Sequence, residues 1–143
     1  MGGVKEYYNS ETDSFSKGSY DRVGKDFFVE GYRVSTIVKT SDSEKPSNPI
    51  QSGKSDVYIC LDKETNAPKQ VSFYKNYAAD NKKKKYVDYD LEEHHHKEGY
   101  VGNPHVHEYK YSEGKIKHQL ARPATKEEKT LIERILEERD KNE

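Results

Sequence analysis

VYICLDKETNAPKQVSFYK, residues 57–75, holds two short runs dense in β-branched and aromatic residues, VYICLD at 57–62 and VSFYK at 71–75. Between them lies KETNAPKQ, whose Asn66, Ala67 and Pro68 have the chemistry of a tight connection. The stretch reads as a β-hairpin, and the rest of the chain is placed around it. Upstream, FFVEGYRVSTIVKT at 27–40 is equally β-prone; Gly31 interrupts it, which predicts one strand with a bulge. The intervening residues 41–55, SDSEKPSNPIQSGKS, carry two Pro, five Ser and one apolar side chain, Ile50, and predict a long surface loop. Residues 1–26 show neither a two-residue nor a 3.6-residue period and read as an irregular polar arm.

Downstream of the hairpin, NYAADNKKKK at 76–85 reads as a polar connector. YVDYDL at 86–91 alternates, and Val87, Tyr89 and Leu91 are its expected buried side. HVHEYKY at 105–111 puts His105, His107, Tyr109 and Tyr111 on one side, taken as the inner face. Thr125 followed by Glu128 forms a capping box, and Leu131, Ile132, Ile135 and Leu136 then make one apolar helical stripe. The expected fold is α+β: a mainly antiparallel four- or five-stranded sheet with a C-terminal helix packed on it. Residues 27–143 make one domain, with its core at 56–138.

Composition limits what this domain can be. Its 143 residues suit one folding unit, with 25 Leu, Ile, Val and Phe but 12 Tyr, so the core should be small and tyrosine-rich. The 25 basic and 26 acidic side chains leave a formal charge of -1, which excludes a globally basic nucleic-acid binder. No apolar run approaches the ~20 residues of a membrane span, and the N-terminus lacks a signal-peptide stretch. Glu6 breaks the myristoylation pattern after Gly2. The single Cys60 permits no internal disulfide and lies between apolar neighbours as an inert thiol, so reducing cytosol is the expected compartment.

Five of six histidines fall within fourteen positions, at His94, His95, His96, His105 and His107, next to Asp90, Glu92, Glu93 and Glu108. Imidazole titrates near neutrality, so paired histidines can relay protons or hold a metal. Alternate strand residues share a side, roughly 6–7 Å apart at Cα, and this gives His105 and His107 the needed geometry. In a metal-free site one imidazole takes a proton from a nucleophile and another protonates the leaving group, a pairing suited to RNA cleavage through its own 2′-OH. That reading makes His105, His107, His95 and His96 the catalytic candidates. A divalent ion such as zinc would instead use His105, His107, His96 and Asp90. The plainer alternative is that the HHH run is a solvated loop and that His105 and His107 pack against tyrosines. Residues 82–85, four lysines, could hold phosphates, with Lys83, Lys84 and Tyr109 as substrate-binding candidates; as a connector they equally need no partner.

The succession YICLDKETNAPKQVSFYK, YDLEEHHH, GNPHVHEY and a basic stretch with RPATKEEKTLIERIL covers about the latter three fifths of the chain. It resembles small domains of phage-associated and mobile-element proteins of Gram-positive bacteria, including toxin-like C-terminal modules. The resemblance implies a cytosolic effector whose working site is the His-rich segment, at His94, His95, His96 and residues 105–109. The expected function is thus a small nuclease-like effector acting on RNA. The competing expectations are a non-enzymatic phage or mobile-element protein that binds and inhibits a host defence protein, and a metal-stabilised structural domain.

Overall fold

A computed structural model describes residues 8–9, 14–15, 20–40, 48–49, 51–77, 82–91, 105–112 and 115–141. In chain order the elements are β1 (Tyr8–Asn9), β2 (Ser14–Phe15), β3 (Tyr20–Arg22), β4 (Phe27–Val29), β5 (Tyr32–Lys39), β6 (Gln51–Ser52), β7 (Val57–Leu61), β8 (Pro68–Tyr77), β9 (Lys82–Asp90), β10 (His105–Ser112), β11 (Lys115–His118), β12 (Arg122–Pro123) and α1 (Lys126–Lys141). The fold is α+β. Among the described residues the main sheet has ten strands, in the order β11-β10-β9-β8-β7-β5-β3, with β12 on β10, β4 on β5 and β6 on β9. It is larger than the expected four or five strands and is mixed, because β5 and β7 run parallel, Val34 opposite Val57 through Val38 opposite Leu61. No helix among the described residues is long and apolar enough to cross a membrane.

The 57–75 hairpin forms as its sequence dictates, with Val57 opposite Phe73 and Ile59 opposite Val71. Its connection is held by Asp62, whose carboxylate accepts from the amides of Glu64 and Thr65 at 2.7 and 3.2 Å, and Asn66 adopts φ 61°. Residues 27–40 are two strands and not one bulged strand: Glu30 and Gly31 have φ 50° and 88°, and Val29 pairs with Tyr32. Two consecutive left-handed residues make the tight turn whose twist matches antiparallel strands, and Gly31 supplies the second at no steric cost.

Three further expectations give way to long-range pairing. Residues 20–22 belong to the sheet: Tyr20 is buried and β3 pairs with β5. Asp26 takes bonds from Arg22, Arg33 and Ser35. The core accordingly begins well before residue 56, since Val34 and Ile37 are fully buried. The described part of 41–55 is no surface loop, because Asn48, Pro49, Ser52 and Ser55 are all buried and form a strap against the sheet. The four lysines open strand β9, paired with β8 from Tyr77 opposite Lys82 to Tyr74 opposite Lys85.

One side of the sheet is the apolar core, in which Val34, Val57, Ile59, Val71, Phe73, Val87 and Val106 meet Ile132 and Ile135 of α1. The other side carries Tyr20, Ile37, Tyr58, Cys60 and Tyr74, with the Tyr58 and Tyr74 rings edge to face at 5.2 Å. Strand β7 is thus buried on both faces, as a central strand is. The inward side of β10 is the reverse of the expectation. Val106 is fully buried in the helix-covered core, so alternation sends His105, His107, Tyr109 and Tyr111 to the opposite face.

Candidate active site

Strands β9 and β10 pair with His105 opposite Asp90 and His107 opposite Asp88. All four side chains lie on the face that α1 leaves uncovered. On the diagonal, His107 Nε2 stands 3.1 Å from Asp90 Oδ2, with both side chains partly open to solvent. The His105 and His107 rings are 6.1 Å apart at an interplanar angle of 67°. Asp90 is held from behind: its Oδ1 accepts from Gln70 Nε2 at 2.8 Å, and Gln70 Oε1 accepts from the backbone amide of Asn48 at 2.7 Å.

Next to this partly open pair is a closed polar cluster. Asp88 is buried and accepts from the hydroxyls of Ser72 and Tyr109, with Lys85 Nζ at 3.3 Å. Lys85 also donates to the Asn48 carbonyl at 3.1 Å and lies 5.2 Å above the Tyr109 ring. Lys85 and Asp88 share a face although three positions apart, because the β8–β9 register shifts between Phe73 and Tyr74, leaving Tyr86 as an extra residue on β9. Burial, and then the Asp88 carboxylate, push the Tyr109 phenol well above its ordinary pKa, so it is a neutral donor to Asp88. Asn48 Nδ2 donates to the Tyr58 carbonyl and to Ser72 Oγ at 3.1 and 2.9 Å.

Of the sequence-predicted residues, the fold brings together His105, His107 and Asp90. His94, His95 and His96 lie outside the described residues. Tyr109 is beside the histidines, but its hydroxyl is engaged by Asp88. Lys83 and Lys84 are seven and six residues from Asp90 along β9, roughly 20 Å by the strand rise, and do not join the histidines. Lys83 Nζ is bound to Asp56 and to the Lys54 carbonyl, both at 2.8 Å, and Lys84 Nζ lies 5.3 Å over the Tyr111 ring. Their place in a paired strand, and not in a free connector, is the reason. Among the described residues no group of three or more His, Cys, Asp or Glu is disposed to hold a metal. Gln70, Asn48, Asp88 and Lys85 were not legible as site residues. The expected faces, Asp88 and Asp90 outward and His105 and His107 inward, kept carboxylates and imidazoles apart; the reversed face of β10 is what brings them together.

The fold and site together define an α+β domain with a partly exposed imidazole pair backed by a buttressed carboxylate. No protein-family model, curated protein or solved structure matches this chain.

Proposed function

We propose that this chain is a small nuclease-like effector acting on RNA, with His105 and His107 as its acid–base pair. The observation that supports the reading is the two imidazole rings, 6.1 Å apart, one of them 3.1 Å from a carboxylate that Gln70 orients. Two hydrogen bonds of ~2.8 Å and the width of one phosphate group span a gap of this order. In the reaction, His107 accepts the 2′-hydroxyl proton as the 2′-oxygen attacks phosphorus. The bond to the 5′-oxygen breaks, and His105 donates a proton to that leaving oxygen. Asp90 stabilises the imidazolium formed on His107, the part a carboxylate plays behind a general base.

The test is incubation of the purified full chain with RNA and DNA, with and without a chelator. Chelator-insensitive RNA cleavage is expected, and His107→Ala should lower its rate by about 10²-fold or more while the melting midpoint stays nearly unchanged. Cleavage abolished by the chelator would transfer the site to a metal that includes the same histidines. RNA left intact by folded protein would remove the nuclease reading and put the host-protein inhibitor ahead.

A further inference from the structure

Gln70 faces two groups at once, and its amide orientation follows from them. Toward the strap is the Asn48 N–H, a donor, at 2.7 Å; toward the histidines is the Asp90 carboxylate, an acceptor, at 2.8 Å. Exchanging the amide oxygen and nitrogen would set donor against donor and acceptor against acceptor. Gln70 is itself buried, so water cannot relieve such a mismatch. The amide therefore locks Asp90 with Oδ1 toward Gln70 and Oδ2 toward His107. At 3.1 Å a nitrogen lone pair on His107 Nε2 would repel the carboxylate, whereas an N–H there is attracted to it.

We infer that Gln70, anchored by the strap through the Asn48 amide, is a positioning residue that holds His107 in the Nε2–H tautomer, and so makes Nδ1 the atom that accepts the substrate's proton. The base assignment rests on the proposed nuclease reading; the tautomer does not. The strap thereby acquires a part in the site although none of its described residues touches His107. It supplies a fixed donor that a mobile solvent molecule would not, and the orientation passes through Gln70 and Asp90 to the ring.

Two-bond ¹⁵N–¹H correlation spectra of the full chain read the tautomer directly, taken at about pH 8, above the ordinary imidazole pKa of ~6.5. Wild-type His107 should carry its proton on Nε2. Asp90→Asn should reverse it: Gln70 still donates to the carbonyl oxygen of the substituted side chain, whose amide nitrogen then faces Nε2 as a donor, and the imidazole proton moves to Nδ1. Gln70→Met, similar in size but unable to donate, should yield a mixture of tautomers and lower kcat roughly tenfold or more, a fraction of what a positioned general base supplies, with KM little changed. A wild-type proton on Nδ1, or an Asp90→Asn spectrum identical to wild type, overturns the inference. If Gln70→Met does not fold, the Asp90→Asn spectrum decides alone. If the tautomers behave as expected but no variant cleaves RNA, the positioning stands and the nuclease reading fails. RNA cleavage by Gln70→Met with both wild-type rate and wild-type tautomer has the opposite meaning.

Discussion

Lys85 and Asp88 are a buried ion pair made possible by one extra residue in β9. Their attraction competes with the removal of two charges from water, and the bonds that Ser72 and Tyr109 donate to Asp88 and that Lys85 donates to the Asn48 carbonyl tip the balance. Lys85→Met should destabilise the domain by about 3–5 kcal/mol, because it strands the Asp88 charge away from solvent. Lys85→Met with Asp88→Asn should recover much of that loss. Urea unfolding of both variants checks this, and a loss under ~1 kcal/mol for the single variant would mean that the cluster accommodates an unpaired carboxylate. Reading this pair from sequence was impossible in principle. In unbulged strands residues three apart lie on opposite faces, and nothing local to YVDYDL announces the bulge at Tyr86.

At the level of elements, α1 is the part whose start follows most directly from local sequence. Glu128 N–H donates to Thr125 Oγ1 at 3.1 Å and the Thr125 amide donates to Glu128 Oε1 at 2.7 Å, the reciprocal pair expected from the Thr-x-x-Glu spacing. The structure adds a second set of partners. Arg122 donates to both Glu128 oxygens at 2.9 Å and the Tyr89 hydroxyl donates to Oε2 at 2.8 Å, tying the cap to β12 and β9. Foremost the Arg122 bonds, and with them the Thr125 amide, lower the Glu128 carboxyl from 4.5 to about 2. A depressed folded-state pKa means stability that is present above pH 4.5 and is lost as pH falls through about 2. Glu128→Gln should therefore be less stable than wild type at neutral pH, by on the order of 1–2 kcal/mol after solvent screening, and the gap should close between those two pH values. Denaturant melts of the two proteins across that range test it; a pH-independent gap would assign the role of Glu128 to packing alone.

On the scale of the whole molecule, the sheet has a cover on each side. Helix α1 lies on one face through Ile132 and Ile135, and the strap contributes the buried Asn48, Pro49, Ser52 and Ser55 to the other. The parallel β5–β7 pair requires such a crossover, since parallel neighbours cannot be joined by a tight turn. Strand β3 closes the edge beyond β5. A chain beginning at residue 27 should be less stable than one beginning at residue 20 by about 3–5 kcal/mol, chiefly through loss of the buried Tyr20 ring. Comparing the urea midpoints of these two truncations is decisive, and equal midpoints would show that β3 adds nothing to the core.

What the sequence determined by itself was whatever depends on neighbours within a few positions: the 57–75 hairpin, the capping box and stripe of α1, and the placing of His105 and His107 on one side of one strand. Short-range hydrogen bonding and side-chain alternation act at that range whatever the rest of the chain does. The tertiary structure alone decided which side of β10 is the inner one, that the lysine run is a strand, that Asn48 is buried and that Asp90 stands against His107. Alternation defines two faces without saying which is covered. Here Val106 meets the helix-side core, and the histidines are left beside a carboxylate oriented from a strap that is distant in the chain.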